Sequence, residues 1–144
     1  MILLDTNVVS EALKPAPARQ VVDWLNVRFA DCAISTLVVF ELNAGVSMLE
    51  PGTRRDALET AVARAVRRFR PRIYSFDIAA AEAAARTFRM ARIVGLGIRQ
   101  IPGKLVDLQT AGIAIAHGLQ LATHNIGDLQ GLGLDLIDPW ANNK

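Results

Sequence analysis

The sequence predicts an α/β fold built on a short, mostly parallel central sheet of four to five strands flanked by helices. Five short apolar runs are typical of buried strands, and they occupy residues 1–4, 32–34, 72–76, 119–123 and 134–137. Helical segments separate these runs, and such alternation is typical of a parallel sheet covered on both faces. The length of 144 residues, 51% of them hydrophobic, suits one core, so we expect a single domain over residues 1–144.

The first half of the chain contains three predicted helices. The polar triplet Asp5-Thr6-Asn7 follows the first strand and consists of helix-capping residue types, so we expect a helix over residues 8–13. Two prolines then interrupt the chain before a second helix around residues 21–25. The second strand ends at Ser35-Thr36, and a third helix is expected from there to about residue 48.

The second half contains three longer predicted helices. Over residues 54–70, apolar positions recur at helical spacing with arginines on the opposite face. Asp77 is a predicted cap for an alanine-rich helix that runs to about residue 94, and glycine and proline then indicate a loop. The last helix is predicted over residues 105–117, with Gly118 in the position just past its end.

The net charge of +2 conceals an uneven distribution. Residues 54–104 contain twelve of the sixteen lysines and arginines but only four acids, whereas the rest of the chain contains four bases and ten acids. A basic middle segment indicates a polyanionic partner, an acidic peptide partner or self-association. The alternative is that amphipathic helices simply present charged faces to water.

Composition excludes several classes of protein. The single cysteine, Cys32, rules out a disulfide framework and any paired-cysteine metal or redox site. No apolar run reaches the roughly 18 residues of a membrane span, and Asp5 comes too early for a signal peptide. We therefore expect a soluble, cytoplasmic protein with no membrane partner.

Four carboxylates are candidates for one site at the carboxyl edge of the sheet, where open α/β sheets bind ligands. Asp5 follows the first strand, Glu41 has apolar or small neighbours on the third helix, Asp107 lies in the first turn of the last helix, and Asp128 follows the fourth strand. Each has a structural alternative: a helix cap for Asp5, a buried salt bridge to an arginine for Glu41, a helix-dipole partner for Asp107, and a cap or loop residue for Asp128.

Together these residues indicate a divalent-metal site, since they have no paired base nearby in the sequence and packed like charges need a cation. Carboxylate oxygens suit Mg²⁺ or Mn²⁺, and the histidine and cysteine clusters expected of zinc are missing from the sequence. A carboxylate-bound ion facing a phosphate is typical of phosphodiester hydrolysis. Polar neighbours that could orient the carboxylates or water, with helix capping as the alternative, are Thr6, Asn7, Thr123 and Asn125.

The order of motifs along the whole chain resembles the PIN-domain ribonucleases of the VapC/FitB toxin type. The matching segments are Met1-Ile2-Leu3-Leu4-Asp5-Thr6-Asn7 with Ser10-Glu11, Ser35-Thr36 with Phe40-Glu41-Leu42-x-x-Gly45, Asp107 with His117-Gly118, Leu121-Ala122-Thr123-His124-Asn125-x-x-Asp128, and Gly131-Leu132-Gly133 to Asp138-Pro139-Trp140. Each segment is loose alone, and their order and spacing together are specific.

The resemblance implies a PIN-like fold and a Mg²⁺-dependent endoribonuclease, with Mn²⁺ as a possible substitute, acting as the toxin of a type II toxin–antitoxin pair. Asp5 and Asp107 match the family's metal-binding acids, and Glu41 matches its second acid. The fourth acid corresponds to Asn125 in some relatives and to Asp128 in others, which makes Asp128 the better candidate.

The resemblance also implies partners. These are an RNA substrate, a cognate small antitoxin whose tail fills the acidic groove, and a second toxin chain, with DNA bound only through the antitoxin. Apolar surface around residues 21–25 and 37–48 could accept an antitoxin helix, and an inserted Arg or Lys could occupy the acidic site. The arginine-rich stretch 54–72 could contact RNA.

Two other functions remain open from the sequence. A PIN-like module could bind RNA or protein without cutting, although the acids retained here are metal-ligating types. A phosphotransferase with Asp5 as nucleophile is the other alternative, although the haloacid-dehalogenase pattern requires a second Asp where this chain has Asn7.

Overall fold

The structure is a computed structural model that describes residues 1–93 and 104–141. Two single turns of 3₁₀ helix, at Phe29–Asp31 and Arg70–Arg72, lead into the second and third strands. The strands and α-helices are, in chain order, β1 (Ile2–Leu4), α1 (Thr6–Ala12), α2 (Arg19–Arg28), β2 (Cys32–Ser35), α3 (Thr36–Ser47), α4 (Thr53–Phe69), β3 (Ile73–Tyr74), α5 (Ile78–Ile93), α6 (Leu105–His117), β4 (Gln120–Ala122), α7 (Ile126–Leu129) and β5 (Leu136–Ile137).

The five strands form one parallel sheet in the order β3-β2-β1-β4-β5. Strand β1 is central, and its Ile2 lies opposite Cys32 on one side and Gln120 on the other. The predicted parallel sheet and all five predicted strands are confirmed. Because all strands run the same way, the polar residues after β1, β2 and β4 meet at one edge of the sheet.

The helix predictions hold in type, and the structure adds one element that was not predicted. Helix α7 is a single turn of four residues, too short for a periodic apolar pattern to reveal it. Arg72, predicted as the start of the third strand, lies in the 3₁₀ turn before β3. The loop predicted from glycine and proline at 95–103 falls outside the residues that the structure describes.

Two predicted helix caps are confirmed. Asp77 Oδ1 accepts a hydrogen bond from the backbone N–H of Ala80 at 2.8 Å, in the first turn of α5. Gly118 follows α6 with a φ of +63°, in the left-handed region that glycine adopts without a Cβ clash.

The sheet separates two apolar cores because successive side chains of a strand point to opposite faces. Ile2 and Leu4 of β1 belong to the core formed with α1, α2, α3 and α4, which we call the α1–α4 face. Leu3 belongs to the core formed with α5 and α6, which we call the α5–α6 face. All three side chains are at most 3% exposed, so β1 is covered on both faces, as its unbroken apolar run predicts.

Among the residues described, no helix is long and apolar enough to cross a membrane.

Candidate active site

Asp5 is the most buried of the four candidate acids. It ends β1 at the carboxyl edge of the sheet, is 6% exposed, and is also the N-cap of α1, where its Oδ1 accepts from the Thr6 N–H at 2.7 Å. Its Oδ2 accepts from Thr123 Oγ1 at 2.7 Å and from Asn7 Nδ2 at 2.9 Å. Burial raises the pKa of Asp5, and these three hydrogen bonds oppose that rise. Asp5 therefore combines the capping role with a fixed position in the site.

Thr123 and Asn7 hold Asp5 from two different strand ends. The Thr123 hydroxyl also accepts from Asn7 Nδ2 at 3.2 Å and from the Asn125 backbone N–H at 3.1 Å. Asn7 Oδ1 in turn accepts from the His124 backbone N–H at 3.3 Å. Thr123 and Asn7 were predicted from the sequence to orient carboxylates or water, and both contact the Asp5 carboxylate. Asn125 acts here through its backbone, and its side chain is exposed.

Glu41 enters the site from the second turn of α3. Its Oε2 accepts a hydrogen bond from the Thr6 hydroxyl, which ties α3 to the start of α1. The residue is half-buried rather than enclosed, and within residues 1–93 and 104–141 it forms no ion pair with an arginine. The described residues therefore do not contain the buried salt bridge to an arginine that was the structural alternative for Glu41.

Asp107 lies in the first turn of α6. Of the four acids, its carboxyl group has the pKa that is shifted most from the ordinary value. Burial is the largest cause, and together with the nearby negative charges of Asp5, Asp128 and Glu41 it raises the pKa of Asp107 to about 6, against the opposing charge of Lys104. Mutual electrostatic influence of this kind requires short separations. Asp5, Glu41 and Asp128 therefore lie close enough to Asp107 for their charges to act on its carboxyl group.

Among the described residues, Asp128 is the one acid of the four with a basic partner. Its Oδ2 forms an ion pair with Lys104 Nζ, and the two side chains are 41% and 28% exposed. The sequence indicated no paired base near these acids along the chain, and the fold supplies one from twenty-four positions away. Lys104 precedes α6, where a positive charge opposes the helix dipole. A lysine at a helix start, three residues before an acid, was the available signal in the sequence.

The arginine-rich stretch is partly engaged within the fold. The guanidinium carbon of Arg68 lies 4.2 Å from the centroid of the Phe29 ring, and that of Arg72 lies 5.1 Å from it. Arg72 Nη1 also donates to the Ala30 carbonyl at 2.8 Å. Arg68 of α4 and Arg72 of the 3₁₀ turn before β3 thus both stabilise the packing of the 3₁₀ turn before β2.

The donor set fits a hard divalent cation such as Mg²⁺. The four acids supply oxygen ligands only, and their mutual repulsion is what a bound cation relieves. No group of three potential ligand side chains is closed around a metal position in the described part of the chain. Mg²⁺ is usually bound through only one or two carboxylates and keeps several waters.

An apolar groove opens beside Glu41. It has a volume of about 490 Å³, and Leu13 just after α1, Leu42 of α3 and Leu58 of α4 contribute to its walls. Arg54 lines the same groove as Glu41. Helices α1, α3 and α4 therefore leave accessible apolar surface next to the acidic site.

Comparison with known proteins identifies relatives along the whole chain. The family model described as PIN domain matches residues 2–127. The chain is 35% identical to the plasmid stability protein StbB of Pseudomonas syringae, 33% to the toxin FitB of Neisseria gonorrhoeae and 31% to the VapC ribonuclease Y4jK of Sinorhizobium fredii. In each case the alignment covers 97% of this chain and 98–99% of the relative.

Solved structures agree with these relatives. A structure of FitAB bound to a DNA fragment matches with a TM-score of 0.89 and 31% identity, over 100% of this chain and 99% of that one. The chain is therefore a member of the PIN-domain family, in the group that contains the VapC and FitB toxins.

Proposed function

We propose that this protein is a Mg²⁺-dependent endoribonuclease and the toxin of a type II toxin–antitoxin pair, with Mn²⁺ as a possible substitute. The observation that carries the proposal is the meeting of Asp5, Glu41, Asp107 and Asp128 at one edge of the sheet. Membership of the family of VapC ribonucleases supports the same activity.

In this proposal Asp5 and Asp107 bind the metal ion, and Glu41 and Asp128 complete the acidic site. When bound, the ion lowers the pKa of a water molecule and offsets negative charge on the phosphate. Thr123 and Asn7 donate to Oδ2 of Asp5 and the Thr6 backbone N–H donates to Oδ1, and these three donors fix the orientation of the carboxylate. Thr6 holds the Glu41 carboxylate beside the reacting groups. These donors keep the carboxylates in place before substrate arrives.

The partners follow from the same family and from the groove beside Glu41. A VapB- or FitA-like antitoxin would lay an apolar helix into this groove and insert an Arg or Lys among the acids. We also propose a homodimer within the toxin–antitoxin complex, DNA binding through the antitoxin alone, and action in the cytoplasm, where the RNA substrates are.

The decisive experiment measures cleavage of total RNA by the purified protein, with Asp5→Asn as the inactive variant. Cleavage should require Mg²⁺ or Mn²⁺, stop in EDTA, and fall by about a thousandfold in Asp5→Asn, since several kcal/mol of transition-state stabilisation depend on the ion. Asp31→Asn is the matched control, because Asp31 is exposed and precedes β2 at the opposite edge of the sheet.

The outcomes separate the functions that the sequence left open. Cleavage that persists in excess chelator would contradict the metal requirement. RNA binding without cleavage under either metal would instead identify a silent binding module. Growth arrest on expression that disappears in Asp5→Asn, but not in Asp31→Asn, would support the toxin role in cells.

A further inference from the structure

Lys104 is a positive charge inside the acidic site, and neither the metal nor the carboxylates proposed above explain its presence. Its ammonium pairs with the Asp128 carboxylate, and this pair joins the start of α6 to the first turn of α7. The side chain is 28% exposed, so it is neither fully enclosed nor free in solvent. Its charge also reaches Asp107, where it opposes the rise in pKa.

The position of Lys104 is unfavourable without these acids. A cation at the N-terminus of a helix is repelled by the positive end of the helix dipole. Burial of most of the lysine side chain adds a desolvation cost unless the charge is paired. The negative charges of Asp128 and Asp107 together compensate the dipole repulsion and the desolvation cost. The Lys104 ammonium and these two carboxylates therefore form one electrostatic unit.

Pairing with a lysine changes what Asp128 can do. A carboxylate that already neutralises an ammonium group attracts a second cation less strongly, because part of its charge is compensated. Within the described residues, no three acids are closed around one metal position. Among the described residues, Asp5, Glu41 and Asp107 are then the acids without a basic partner, and Asp5 and Asp107 are the two that the proposed function assigns to the ion.

We propose that Lys104 is a resident cation of this site: it neutralises Asp128, so that the site binds one divalent ion on Asp5 and Asp107, and it contacts the substrate phosphate. An ammonium group has three N–H donors, one of which is directed at Asp128. A phosphate oxygen could accept from another, where the positive charge offsets developing negative charge. The phosphate contact rests on the proposed nuclease function, whereas the metal stoichiometry does not.

The first test counts metal ions rather than measuring activity. Mn²⁺ binding to the full chain would be followed by electron paramagnetic resonance in wild type, Lys104→Met, Lys104→Arg and Asp128→Asn. Wild type, Lys104→Arg and Asp128→Asn should each bind about one ion per chain, and Lys104→Met should bind about two because Asp128 becomes free. Lys14→Met is the matched control, since Lys14 pairs with Glu11 outside the acidic site.

Several results would overturn the proposal. Wild type that binds two ions, or Asp128→Asn that loses one, would make Asp128 a metal ligand. Lys104→Met that still binds one ion with unchanged affinity would show that the lysine does not shield Asp128. Thermal unfolding of each variant establishes that it is folded before its stoichiometry is compared.

The second test measures cleavage at saturating Mg²⁺. Lys104→Met should cleave about a hundredfold more slowly than wild type, and Lys104→Arg should retain most of the rate because the charge remains. An unchanged rate in Lys104→Met would contradict the phosphate contact. If wild type does not cleave RNA at all, the proposed function fails, while the Mn²⁺ count still decides whether Lys104 replaces a second ion.

Discussion

The two faces of the sheet are packed in opposite ways. On the α5–α6 face the two helices approach so closely that a Cβ on Gly112 would lie 2.5 Å from the Ala80 carbonyl oxygen and 2.6 Å from the Ala84 Cβ. On the α1–α4 face the helices leave the groove of about 490 Å³ and a second one of about 470 Å³ between α1, α2 and α4. Gly45 of α3 lines the first groove and has no atom within 4 Å of its Cβ position.

This difference matters because each face supplies one acid to the site. Asp107 comes from α6, which is clamped by the Gly112 contact and by the pair of His117 Nε2 with Asp77 Oδ2 at 3.2 Å. Glu41 comes from α3, beside the open groove. We infer that the packed face fixes Asp107, the carboxylate proposed to bind metal, while the open face remains available to a partner.

The largest expected effect is on the packed face. Gly112→Ala should lower the free energy of unfolding by about 3 kcal/mol, because the new methyl group meets backbone and a Cβ that cannot move aside. Urea denaturation of the metal-free protein measures the change. A midpoint equal to that of wild type would mean that α5 and α6 separate without cost, and the contrast between the two faces would then be lost.

The next effect concerns the acid that the packed face supplies. Asp107→Asn should raise the free energy of unfolding of the metal-free protein by about 2 kcal/mol at pH 7, because it removes a half-buried charge repelled by three other acids. Mg²⁺ should stabilise wild type more than this variant. A variant less stable than wild type without metal would contradict the repulsion.

The raised pKa of Asp107 predicts that the free energy of unfolding depends on pH. Its pKa of about 6 in the folded state lies above its ordinary value of 3.8, so the native state binds more protons between those values. Metal-free wild type should therefore become more stable as the pH falls from 7 to 5, and Asp5, whose pKa is also raised, acts in the same direction. Thermal unfolding at both pH values, with Asp107→Asn as the reference, measures the difference.

The smallest effect is on the open face. Gly45→Ala should raise the free energy of unfolding by about 1 kcal/mol, because alanine favours the helix and its methyl group meets no atom. The same denaturation series measures it, which makes Gly45 and Gly112 a matched pair of helical glycines. Destabilisation by Gly45→Ala would indicate that the groove closes in solution.

Most of the fold was predictable because its signals are local. The apolar runs identified all five strands, since strands buried on both faces carry continuous apolar sequence. Asp77 and Gly118 revealed helix ends through their own side-chain and backbone chemistry. Helix α7 was missed because one turn is too short to show a period.

The residue types of the candidate site were predictable from the sequence, whereas the contacts between its side chains were not. The four acids were selected by their places after strands or on helices, and the structure brings them together. Lys104 was missed because its ion-pair partner, Asp128, lies twenty-four positions further along the chain. The Thr6–Glu41 contact joins residues thirty-five positions apart. The catalytic and metal-binding roles of the four acids stay predictions.

The sequence by itself determined the class of fold, the helix caps and the acids available for chemistry, because each depends on residue type and short spacing. Only the tertiary structure decided the strand order, the close α5–α6 contact at Gly112 and the partner of each carboxylate. The physical reason is that packing and electrostatic interactions depend on distances in space, which residues far apart in the chain acquire only when the sheet assembles.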